Sequence, residues 1–161
     1  MDPGTILKIA QRRAAIVTGS ILVSIVVFAI VVEVLKRNPD YSSGFIGGFD
    51  SIRIVFYAVS ISMVFVVNLV HGFMLKGEKS DDIGRIAAKL TTVNVIMSGL
   101  AETPLILGFV LFIGWGYTTD FYILGFVSFY LTLRHFPFYG QWEKFAKERM
   151  GAKWPSGPVS D

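Results

Sequence analysis

The chain has no cysteine. That removes disulfides, thiolate nucleophiles, cysteine-bound zinc and iron–sulfur clusters together. Histidine occurs only twice, as His71 and His135, which argues against a haem or a histidine-rich metal site. Charge is sparse: Asp, Glu, Lys and Arg make up 17% of the residues, with a net charge of +3. The positive residues sit at the ends of apolar runs, a distribution that speaks of membrane topology and not of nucleic-acid binding. No internal repeat is visible. There is no nucleophile–base pair, metal-ligand cluster or phosphate-binding loop, so the expectation is a non-enzyme without cofactor. Ser98 and His71 lie at matched depths, but no glycine motif of the oxyanion kind frames the serine.

What the chain does have is apolar length. Of its 161 residues, 53% are hydrophobic and 14% aromatic, and the apolar residues come in blocks. One domain is the size prior, and the class is a polytopic membrane protein. Residues 14–35 form an almost unbroken run of about 22 residues, enough to span a bilayer. This run is too long for a cleaved signal peptide and ends in Val-Leu-Lys-Arg, so it reads as a retained anchor. Further spans are expected at 54–75, 90–114 and 117–136. The connections are a Gly-containing loop over 37–51, a charged loop KGEKSDDIGR over 76–85 and a tight turn over 114–120 with aromatic anchors. The leader, the 76–89 segment and the tail carry most of the Lys and Arg, whereas the 114–120 turn carries none. The positive-inside pattern then places both termini in the cytoplasm. The expected fold is all-α: an integral membrane four-helix bundle over residues 1–137, multi-pass in the inner (cytoplasmic) membrane. Residues 138–161 are expected to add a short amphipathic helix and a disordered tail. In that helix Trp142, Phe145 and Met150 face the membrane while Lys144, Lys147 and Arg149 face headgroups; a soluble helical tail is the alternative.

The third span carries an acid near its middle, Glu102. An ionisable group at bilayer depth costs roughly 2.5–3.5 kcal/mol on insertion scales and marks a functional-site hypothesis. Asn94, Ser98 and Glu102 follow at i, i+4 spacing and share a face. Pro104 frees a backbone carbonyl one turn back, and Gly99 and Gly108 would let a neighbouring helix approach closely. Counting from the charged ends at ~1.5 Å per residue places Asn68 ~10 Å, Glu102 ~13 Å and Ser24 ~15 Å into the bilayer. Ser24, Asn68, Ser98 and Glu102 are therefore expected to converge as an ion-binding cluster. No Lys or Arg lies within the apolar part of any span. Arg53, at the far end of the second span, is expected to reach water. Glu102 is thus expected in its neutral form, donating one hydrogen bond. Glu33 reads as an interfacial charge paired with Lys36 or Arg37.

The segment Ser98-Gly99-Leu100-Ala101-Glu102-Thr103-Pro104, with Gly108 beyond it, resembles the carboxylate helix of the rotary ATP synthase subunit c, the proteolipid. The likeness covers the hairpin of residues 53–115. It implies that Glu102 is the ion-carrying carboxylate, with Ser98 as helper. The chain departs from that family in its second span, which is bulky and holds only Gly72 where the proteolipid has a repeated glycine run. It also has Gly77-Glu78-Lys79-Ser80-Asp81 in place of the polar-loop motif, and its acid lies on the third span instead of the last.

Three functions follow as expectations. The first is a proton- or sodium-responsive subunit working as a homo-oligomer or within a larger membrane complex. The second is an accessory or scaffold subunit in which Glu102 is a structural hydrogen-bonding group. The third, ranked lowest because no aromatic cage surrounds the acid, is a small multidrug-type exporter.

Overall fold

The computed structural model describes residues 2–38, 41, 50–76, 82–151 and 154. Most of the 37–51 loop, the centre of the charged loop and nearly all of the expected disordered tail lie outside those residues. The described chain is all helical: α1 (Pro3–Arg37), α2 (Asp50–Leu75), α3 (Ile83–Trp115), α4 (Thr118–Arg134) and α5 (Tyr139–Met150).

The helix ends follow from local chemistry. α1 begins in the basic leader, well before the apolar run, because Asp2 caps it by accepting from Thr5 N at 3.3 Å and Pro3 sits in the first turn. Asp82 caps α3 in the same way, through Gly84 N at 2.8 Å. α3 stops at Gly116, whose φ of 75° is left-handed and whose N–H closes on the carbonyls of Leu111 and Phe112. The chain turns at once into α4. α1 and α3, with 35 and 33 residues, exceed a hydrocarbon core of ~30 Å.

α1, α2 and α3 are each long and apolar enough to cross a membrane. α3 is the central one: 44% of its most apolar window is buried, against 17% for α1 and 11% for α2, and it packs on all four other helices. The outer faces stay apolar. Phe65, Leu69 and Phe73 of α2 and Phe126 of α4 are each at least 70% exposed. Bands of that kind belong in lipid, and they fit a multi-pass membrane protein.

At one end of the bundle, Leu7 and Ala14 of α1, Ile86 and Leu90 of α3 and Trp142, Ala146 and Met150 of α5 form one buried cluster. Gln11 adds a hydrogen bond to the Pro137 carbonyl at 2.7 Å. This corrects the expected outward placement of Trp142 and Met150. The projecting first turns of α1 and α3 offer α5 an apolar surface of protein, so its apolar stripe packs there. The N-terminal part of α1 and α5 therefore share one end of the molecule.

Candidate functional site

Glu102 sits half-buried in the seam between α3 and α1. Its partner is Ser24, whose Oγ lies 2.9 Å from Glu102 Oε1 and 2.8 Å from the Ile21 carbonyl. A serine has one proton and the carbonyl can only accept. With Glu102 ionised, Ser24 donates to the carboxylate. With Glu102 protonated, Ser24 donates to Ile21 O and Glu102 donates to Ser24 Oγ. Both protonation states are therefore satisfied by turning one hydroxyl, without moving a helix.

Ser98 and Asn94, one and two turns below, join a different group. Thr18 Oγ1 lies 3.0 Å from Ser98 Oγ, 2.9 Å from Asn94 Oδ1 and 3.1 Å from the Ala14 carbonyl. Asn94 Nδ2 donates to the His135 carbonyl at 3.2 Å, which ties the end of α4 to α3. Thr18, Asn94 and Ser98 are all buried. Ser98 thus lies on the expected face, but its hydrogen bond goes to Thr18 and not to Glu102.

Asn68 does not join Glu102. It is exposed, and its Nδ2 donates to the Val64 carbonyl of its own helix at 2.7 Å. The buried residue at that level of α2 is Val67; one residue further on, the helix has turned by ~100° and the side chain faces away from Glu102. The two glycines also separate. A Cβ on Gly108 would stand 3.1 Å from Phe121 Cα and 3.1 Å from Leu124 Cβ, so this glycine sets the close approach of α3 and α4. Gly99 is exposed with nothing within 4 Å of a Cβ, so it packs against no neighbour. Pro104 is buried inside α3.

A second charged site lies at the end of the bundle remote from α5. Asp120, in the first turn of α4, is 1% exposed. Its carboxylate accepts from Arg53 Nε at 2.8 Å and Nη2 at 2.8 Å, and from the Tyr57 hydroxyl at 2.6 Å. The guanidinium also lies over the Tyr117 ring, 5.3 Å from its centroid. This corrects the expectation that Arg53 merely reaches water. At the same end, Glu33 accepts from the Tyr122 hydroxyl at 2.6 Å, with Lys36 Nζ 3.7 Å away. Among the described residues, no group of three or more His, Asp or Glu side chains is placed to hold a metal ion.

Comparison with family models, with curated proteins and with solved structures returned no match to this chain. The functional reading therefore rests on the site itself.

Proposed function

We propose that this is a small, non-catalytic membrane protein in which Glu102 takes up and releases a proton, acting as a subunit of a homo-oligomer or of a larger membrane complex. The observation that carries the reading is the hydroxyl of Ser24, held between Ile21 O and Glu102 Oε1. It accommodates either protonation state at the cost of one bond rotation. A proton suits the site better than sodium. Among the described residues, Ser24 is the one side chain in hydrogen-bond reach of the acid, whereas a bound cation of that kind needs several oxygen ligands. α4 completes the bundle as a fourth, short span of ~26 Å. It returns the chain to the end that carries α5, and the Lys and Arg residues of that end support a cytoplasmic side for it, across an inner membrane.

A second reading, an accessory subunit, draws on the half-exposure of Glu102 and the open notch at Gly99. Together they would let a partner helix approach from the lipid side and supply a donor to the carboxyl.

The test is labelling by a hydrophobic carbodiimide, which reacts with a protonated carboxyl in lipid. The expected result is modification of Glu102 that slows as pH rises, is abolished in Glu102→Gln and is indifferent to sodium. Absence of labelling at every pH would rule out proton exchange and leave the accessory reading. Protection by sodium would replace the proton with that ion.

A further inference from the structure

Between α2, α3, α4 and α5 the structure forms a partly open cavity of about 300 Å³. This is at the small end of the ~300–1,000 Å³ range of small-molecule sites. Its apolar wall includes Val93, Met97, Trp142 and Phe145. Its polar side is formed by Asn68, His71, Asn94, Arg134, His135 and Gln141, and among the described residues no Asp or Glu lines it.

Asn94 is committed to Thr18 and the His135 carbonyl, and Asn68 Nδ2 to the Val64 carbonyl; the two histidine rings, Arg134 and Gln141 keep hydrogen-bonding capacity to spare. His135 Nδ1 is 3.0 Å from the Leu131 carbonyl, which can only accept, so Nδ1 bears the hydrogen and Nε2 remains for another partner. The His71 ring packs edge-on to His135 at 5.4 Å, and among the described residues neither it nor the Gln141 amide has a hydrogen-bond partner. Arg134 gives one contact to the Tyr130 hydroxyl at 3.2 Å, and a guanidinium has five N–H donors. Arg134 and Gln141 are exposed, so they form a rim, while the aromatic wall lies on Trp142 and Phe145. Unspent donors, one fixed positive charge, no acid among the described residues and an apolar wall define the complement of a small anion with an apolar body.

We propose that this cavity binds a small organic carboxylate. Arg134 pairs with the carboxylate, His71 and Gln141 donate to it, and the ligand's hydrocarbon or ring rests on Trp142, Phe145 and Met97. His135 Nε2 serves as acceptor for a ligand hydroxyl or, once protonated, as a further donor. The site is separate from Glu102 and stands whether or not Glu102 exchanges a proton.

The experiment is a titration of the full-length protein, in lipid nanodiscs, with benzoate, read by tryptophan fluorescence. Benzamide serves as the neutral match of equal size, and Trp142→Phe as the control for the origin of the signal. The expected result is saturation by benzoate, binding at least tenfold weaker for benzamide and no signal in Trp142→Phe. Arg134→Gln should weaken benzoate about tenfold, equivalent to one charge-assisted contact, and His71→Gln severalfold. Glu102→Gln should bind as the parent does. The proposal is overturned if benzamide binds as well as benzoate, or if Arg134→Gln and His71→Gln both bind normally. A signal that survives Trp142→Phe, or no saturation up to about 10 mM with well-folded protein, overturns it equally.

Discussion

Replacing Thr18 by valine tests the polar group beneath Glu102 with little change of shape. Valine fills almost the same volume, so no cavity opens, and the loss is confined to the hydroxyl. Three contacts go with it. That to the Ala14 carbonyl, at 3.1 Å, competes with Asn94 Oδ1 for the single hydroxyl proton and adds little net stability. Those to Asn94 Oδ1 and Ser98 Oγ, at 2.9 and 3.0 Å, cross from α1 to α3 in a fully buried setting. Hydrogen bonds between membrane helices average ~0.6 kcal/mol and reach ~1.7, because the unfolded chain in lipid also finds partners. Two such bonds give an expected destabilisation of about 1–2 kcal/mol. The assay is reversible unfolding in mixed micelles of increasing SDS fraction, followed by circular dichroism. Ser98→Ala alone should cost about 0.5–1 kcal/mol, and the double variant should cost less than the sum, since both substitutions break the same contact. A Thr18→Val protein within about 0.3 kcal/mol of the parent, or strict additivity with Ser98→Ala, would refute the bridging role.

The other predictions address the remaining packing and charge. Asp120→Asn should cost about 2 kcal/mol in the same assay, since the charge that receives Arg53 and Tyr57 is removed from a buried site. Arg53→Ala should be worse than Asp120→Asn, because Arg53 can turn to solvent whereas Asp120 cannot; the reverse order would contradict the asymmetric burial. Gly108→Ala should destabilise by about 1–3 kcal/mol, its methyl meeting backbone of α4 at 3.1 Å. Gly99→Ala should be neutral or stabilising by up to about 1 kcal/mol, because its surroundings are open. Burial pushes the Tyr139 hydroxyl above the ordinary tyrosine range, with Glu143 adding to the effect. The fold thus favours the neutral phenol: stability is unaffected below the unfolded value near 10 and falls as pH rises through the folded one. That alkaline loss should be smaller in Tyr139→Phe, measured by thermal unfolding across pH 9–12.

The sequence pattern revealed depth better than direction. Counting residues put Ser24 and Glu102 at one level, and they meet there, because rise per residue is nearly constant. The same count put Asn68 at that level and was misleading, because facing depends on ~100° of turn per residue and a one-position error turns a side chain away from the acid. Thr18 escaped notice because a threonine inside a run of valine and isoleucine looks apolar. Its place in the buried stripe Leu7, Ala14, Thr18, Ile21 was the available signal. Asp120 closes the tight turn expected over 114–120. The chain leaves α3 at Gly116 and is helical again by Thr118, so Asp120 falls in a first helical turn, where the helix dipole favours an acid, and its side chain points inward to the end of α2 where Arg53 lies. These corrections alter what Glu102 means. Glu33 and Asp120, near the ends of the bundle, each have a cation and a tyrosine beside them, and both read as structural pairs. Glu102 differs from both in having a hydroxyl partner without a cation beside it: it makes no ion pair among the described residues. A fixed negative charge in such a place would be costly, and the Ser24 hydroxyl can serve either state of the carboxyl. The arrangement at Ser24 suits a carboxyl that changes state.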